Sequence, residues 1–128
     1  MSNGKRRVLV ALIAVLVSGV AARAESIEGM YRVEGNAPGE DQAYRGRAQV
    51  KKTGATYTIV WQLGEGGHVG TGILTSDVLS VFFQPLDRRG APGVASFRVV
   101  EGKITGGTWS VLGGNVVGDE RWVPDRGI

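Results

Sequence analysis

The stretch Ala43-Tyr-Arg-Gly-Arg-Ala-Gln-Val-Lys-Lys-Thr-Gly-Ala-Thr-Tyr-Thr-Ile-Val-Trp-Gln-Leu63 decides the fold. Tyr44, Gly46, Ala48 and Val50 alternate with Arg45, Arg47, Gln49 and Lys51. Successive side chains of a strand point to opposite faces, so this pattern is a strand with one apolar and one charged face. Thr53-Gly54 supplies turn chemistry. Tyr57, Ile59, Trp61 and Leu63 then share a face of the next strand, with Thr56, Thr58, Val60 and Gln62 opposite. Two amphipathic strands joined by a short turn form a hairpin with one face to bury.

The same alternation continues on both sides. Ile27, Gly29, Tyr31 and Val33 share a face of an earlier strand. His68 to Leu74, Val78 to Phe83, Val94 to Val100, Lys103 to Val111 and Val116 to Val123 read as later strands. Between them lie turn signals: Asn36-Ala-Pro-Gly-Glu-Asp41, Gly64-Glu-Gly-Gly67, Ser76-Asp77, Glu101-Gly102 and Gly113-Gly-Asn115. Gln84 to Pro92 is the longest irregular piece. Eight short strands at 10–13-residue spacing read as an all-β meander. Short connections make sequence neighbours sheet neighbours. The expected fold is an eight-stranded antiparallel up-and-down barrel, whose closure removes aggregation-prone edges. A β-sandwich is the alternative. Glycines inside strands fit the bends of a small barrel, and Gly106-Gly107 reads as a bulge that lets Ile104 and Trp109 face the same side.

The N-terminus sets the compartment. Lys5-Arg6-Arg7 is followed by an uncharged run of 15 residues, Val8 to Ala22, and then Ala22-Arg23-Ala24. A basic head, an apolar run too short for the ~20-residue span of a bilayer, and small residues at the cleavage positions describe a secretory signal peptide. The expectation is a signal over residues 1–24 and a single β-barrel domain over 25–128, periplasmic or secreted from a bacterium, with no membrane attachment after cleavage. Four basic residues leave with the signal, so of 15 basic residues 11 remain against 12 acidic ones, a net charge near −1. The basic character of the whole chain therefore gives no support to a nucleic-acid partner, which needs a clustered basic face. The absence of cysteine excludes zinc–thiolate and Cys-nucleophile chemistry and leaves packing and backbone pairing to hold the domain.

Two resemblances follow. Gly29-Met30-Tyr31 on the first strand and Arg121 on the last resemble the Gly-x-Trp and bracing Arg of calycin barrels, the avidin and lipocalin type, with Tyr for Trp. The resemblance implies a cation–π contact between Arg121 and Tyr31 across the barrel seam. Ile27 to Asn36, Tyr44-Arg-Gly46, Tyr57 to Trp61, Gly70-Thr-Gly72, Gly102-Lys-Ile104 with Gly107-Thr-Trp109, and Gly118-Asp-Glu120 resemble a family of small exported, mostly uncharacterised bacterial β-proteins, sometimes labelled fibronectin-binding. That likeness implies an extracellular binding role.

The residues that carry chemistry are few. His68 is the sole histidine, placed by its Gly-rich neighbours at a strand start within reach of water. Asp119 and Glu120 point to opposite faces of one strand, so only one faces inward, and Glu120 is the candidate because Trp122 shares its face. An inward carboxylate needs a partner. No phosphate loop, dinucleotide fingerprint or Gly-x-Ser-x-Gly elbow is present. The expected function is non-catalytic binding of a small amphipathic molecule, with no metal and no cofactor. The expected site is Tyr44, Tyr57, Trp61 and Trp109, with Glu120 as polar anchor. The alternative is a protein- or glycan-binding module acting through its loops, as an adhesin or enzyme inhibitor; a small-substrate enzyme is the remaining class. Processing is directly checkable: intact mass of the exported protein should place cleavage between Ala24 and Glu25, and a mature form retaining Val8 to Ala22 would overturn both the export and the charge arguments.

Overall fold

Alternation of inward and outward side chains builds eight strands: β1 (Gly29–Asn36), β2 (Ala43–Thr53), β3 (Thr56–Leu63), β4 (Gly66–Thr75), β5 (Val78–Pro85), β6 (Gly93–Val100), β7 (Lys103–Val111) and β8 (Gly118–Pro124). The computed structural model describes residues 26–126, so the signal segment lies outside the described residues. Each strand pairs antiparallel with the next, and β8 pairs back onto β1. The result is a closed eight-stranded up-and-down barrel, not a sandwich.

Its two ends differ. Where β1 begins, the strands are joined by two-residue turns at 54–55, 76–77 and 101–102. Glu101 and Gly102 have φ of +51° and +76°, the doubly left-handed backbone of a type I′ turn, whose twist matches that of the flanking strands. Ile27 precedes β1 and is buried beneath this end. The Tyr31 hydroxyl donates to the Ile27 carbonyl at 2.8 Å and accepts the Ile104 N–H at 3.3 Å, tying that segment to β7. Val50, Ile59, Leu79 and Ile104 are all but inaccessible and complete the filled half. Each such side chain contributes roughly 1.5–3 kcal/mol by leaving water. At the opposite end the connections are residues 37–42, 64–65, 86–92 and 112–117, three of them long loops.

Several boundaries differ from the sequence reading. Ile27 is not part of β1: Gly29 has φ +136° and is exposed, so Ile27 and Tyr31 both point inward across a break in alternation. β8 begins at Gly118, and Val116 and Val117 are exposed in the loop before it. The bulge in β7 falls one residue earlier than expected. Arg98 pairs with Gly106 and Val99 with Ile104, leaving Thr105 as the extra residue. Gly106 has φ +145°, and a Cβ there would run into the Glu120 carbonyl. The consequence is the one the sequence implied: Ile104 is in the core and Trp109 also turns inward.

The seam corrects a second expectation. Arg121 pairs with Glu34 and Trp122 with Val33, so Arg121 points outward while Tyr31 points in. Arg121 bonds Glu34 at 2.5 Å, and Arg45 bonds the same carboxylate at 2.8 Å. The two guanidiniums hold the Glu34 carboxyl below its usual pKa, but the cluster faces water and adds little stability. The ring beside Tyr31 is Trp122, with centroids 5.2 Å apart. Alternation dictates this: on one strand the residue next to an inward Trp faces out.

Tyr31→Phe keeps the ring but removes both hydrogen bonds of the hydroxyl. Chemical denaturation should show a loss of about 1–3 kcal/mol, the cost of orphaning buried polar groups. An unchanged midpoint would mean that the Ile27 segment is not fastened through this hydroxyl.

Candidate functional site

The looped end encloses a cavity of about 210 Å³. Leu63, Phe83, Ala95 and Phe97 supply carbon surface, and Ala37 lies at the rim. Tyr44, Trp61, His68, Trp109 and Glu120 also line it and bring the polar atoms. Trp61 reaches across the interior, with its ring 6.0 Å from Phe83 and 6.1 Å from Trp122, and so separates the cavity from the filled half.

Local sequence explains how such large rings fit. Gly35 pairs with Tyr44 on one side and Glu120 on the other. Because Gly35 has no side chain, the Tyr44 ring passes over β1 and its hydroxyl donates to Glu120 Oε2 at 2.7 Å. A Cβ on Gly35 would sit 2.5 Å from that hydroxyl oxygen. Gly118, opposite Trp109, leaves room for the Trp109 indole in the same way.

Glu120 is the buried charged residue of the site, 9% exposed. Oε1 accepts the Trp122 indole N–H at 2.8 Å, so both carboxylate oxygens have a partner. Burial pushes its pKa above the usual carboxylate value, while the hydrogen bonds of Tyr44 and Trp122 and the nearby Trp61 indole pull it back in part. Burial, and then the negative charge of Glu120, push the Tyr44 phenol far above its usual range. His68 lies on β4, against Phe83 with centroids 5.8 Å apart. Burial pushes its imidazole below the usual value, with Asp87 partly opposing. Among the described residues three nitrogens screened from water form no well-formed hydrogen bond: Trp61 Nε1, Trp109 Nε1 and His68 Nδ1. All three residues belong to this cavity. Among the described residues no group of three or more His, Asp or Glu could hold a metal ion.

Of the residues singled out in the sequence, Tyr44, Trp61, Trp109 and Glu120 come together here. Tyr57 does not. It shares a face with Trp61 but stands four residues nearer the closed end, about 13 Å along the strand. There it is buried, with Lys52 Nζ 5.4 Å from its ring centroid. A shared face therefore did not mean a shared end. His68 was placed near water by its glycine neighbours, yet it faces the cavity. The signal was available: His68 falls in step with Gly70 and Gly72, which are buried on the inward face of β4. Phe83 was likewise identifiable from its step with Leu79 and Val81.

A comparison with known protein families, with curated proteins and with solved structures finds no match to this chain.

The Glu120 environment is tested by three substitutions. A carboxyl whose pKa is raised by folding adds stability that is full below its unfolded value, 4.5 in a free glutamate, and is lost as pH rises through the raised folded value. His68, shifted down, acts in the opposite sense: its contribution is lost as pH falls through its folded value. Glu120→Gln is nearly isosteric, since its amide can accept from Trp122 and donate to Tyr44. It should abolish the decline in stability from mildly acidic toward neutral pH, leaving the His68 trend, and parallel pH profiles of the two proteins would refute the assignment. Gly35→Ala should cost at least the ~1–3 kcal/mol of a broken buried polar contact by displacing Tyr44 from Glu120. Tyr44→Phe should lose a similar amount in the same denaturation experiment.

Proposed function

We propose that this protein is an exported, non-catalytic binding protein that holds a small amphipathic molecule in the open mouth of its barrel. The observation that carries this reading is the cavity itself: about 210 Å³, at the looped end, walled by aromatic rings. Concave sites lined by aromatic side chains with a few convergent polar groups are the usual make-up of small-molecule sites. The asymmetry of the barrel agrees. Tight turns and Ile27 seal one end, while long loops, which tolerate variation and carry function on rigid scaffolds, ring the other. The use of Glu120 supports binding over catalysis, because both its oxygens are engaged by neighbours of the same domain. Export is supported by the basic–apolar–small order of residues 5–24.

The test is a titration of intrinsic tryptophan fluorescence with a panel of small apolar and amphipathic compounds, since Trp61 and Trp109 both line the cavity. Binding should quench or shift the emission. Trp109→Ala, near the mouth, should weaken binding at least tenfold while costing less than the ~3–5 kcal/mol that a ring deleted from a filled core costs. No response across the panel, with the full core penalty in Trp109→Ala, would move the function to the outer surface and the loops.

A further inference from the structure

The polar atoms of the cavity say what kind of molecule belongs there. We propose that the ligand is a neutral, flat aromatic molecule of about ten non-hydrogen atoms, with an oxygen acceptor at one end and a hydroxyl or N–H donor at the other, matching the two walls of the cavity. The inference rests on the reading of the mouth as a small-molecule site.

Size comes first. An apolar cavity of ~150 Å³ accepts benzene. At about 210 Å³ this one accommodates a substituted single ring or a small fused pair. Aromatic walls favour a flat guest, which can offer its edge and faces to Phe83 and Trp109, themselves in edge-to-face contact with centroids 6.4 Å apart.

Charge comes second. Among the described residues no Lys or Arg lines the cavity, so an anion would meet Glu120 without a counter-ion. A cation would need a free carboxylate, but the Glu120 oxygens already receive the Tyr44 hydroxyl and the Trp122 N–H. Either ion would also lose its hydration inside a carbon-walled space, at a cost that only a paired charge offsets.

The placement of unsatisfied groups comes third. Trp109 stands on β7 beside Tyr44, with ring centroids 6.4 Å apart, and the Trp61 indole lies close enough to Glu120 to stabilise its ionised form without a well-formed hydrogen bond. Neither indole N–H makes a well-formed hydrogen bond: that of Trp109 lies near the Tyr44 hydroxyl, and Trp61, which stands on β3 opposite His68, reaches across the interior toward Glu120. A buried donor left unsatisfied costs free energy that a ligand oxygen recovers. His68 stands on β4, four strands from β8 in an eight-stranded barrel, and so on the facing wall. Its Nδ1 is also unpartnered, and in a neutral imidazole protonated on Nε2 that nitrogen is an acceptor. A guest that fits both walls carries its acceptor toward the indoles and its donor toward the imidazole.

The probe is 4-hydroxyacetophenone at mildly acidic pH, where its phenol is neutral, followed by calorimetry and by the indole N–H resonances of the isotopically labelled protein. The Trp61 and Trp109 resonances should move, and that of Trp122, already bonded to Glu120, should move least. Acetophenone and phenol, each lacking one polar end, should bind about fivefold more weakly, the worth of one hydrogen bond. His68→Phe and, independently, Trp109→Phe should each cost 4-hydroxyacetophenone more affinity than they cost ethylbenzene, which has no polar end, and equal losses for the two compounds would overturn the polar-ended class. Ethylbenzene binding as tightly as 4-hydroxyacetophenone would overturn the polar-ended class, and tighter binding of benzoate or benzylammonium would overturn neutrality; in both cases the mouth remains a binding site. Indole resonances unmoved by every probe would overturn the site as well.

Discussion

Space inside an eight-stranded barrel is the constraint on which this structure depends. Eight strands enclose little more than the volume of their own inward side chains, yet this barrel holds three tryptophans, three tyrosines and two phenylalanines inside or at its mouth. The rings fit because strand positions beside them are glycine. Tyr44 passes over Gly35, the Trp109 indole lies against Gly118, and Phe83 and Trp61 lie beside Gly93 and Gly70. Glycine weakens a strand in isolation. Here the packing of a large ring into the vacated space offsets that loss, and the same substitutions let rings from non-adjacent strands meet.

One such meeting organises the open half. Tyr44 on β2 and Glu120 on β8 are separated by the whole of β1, and they touch only because Gly35 lies between them. With the Trp122 N–H on its other oxygen, Glu120 becomes tolerable in a nearly dry interior. A buried carboxylate with partners from its own strand and from two strands away also pins the β1–β8 seam from inside, while Glu34 with Arg45 and Arg121 spans it weakly from outside. The polar floor of the cavity and the closure of the barrel are therefore the same set of bonds.

The two ends show how a uniform strand pattern yields a directional molecule. Two-residue turns hold adjacent strands in register but leave no chain to line a site, and the Ile27 segment, fastened by Tyr31, removes the remaining opening. The opposite end has longer connections, and its rings touch edge to face around a space they do not fill. The cavity is what is left when Trp61 crosses the interior and the rings above it line the wall without filling the space.

Strand order, count and the inward set were legible in the chain because period-two alternation is a local property that each short segment displays by itself. Gly118, Glu120 and Trp122 against Asp119, Arg121 and Val123 is an example: the inward carboxylate was identifiable from its neighbours alone. Whatever depended on position along the barrel axis was not legible. Alternation assigns a face but no height, so Tyr57 and Trp61 looked alike although they lie at opposite ends, and Arg121 looked able to reach Tyr31 although its parity points it outward. His68 was misplaced because the flexibility of neighbouring glycines outweighed its parity with Gly70 and Gly72. The sequence by itself determined an all-β chain of eight strands and which side of each is buried. Only the tertiary structure decided which end is sealed and which rings surround the cavity, because those depend on register and strand length across strands distant in sequence, and on a volume that no single strand contains.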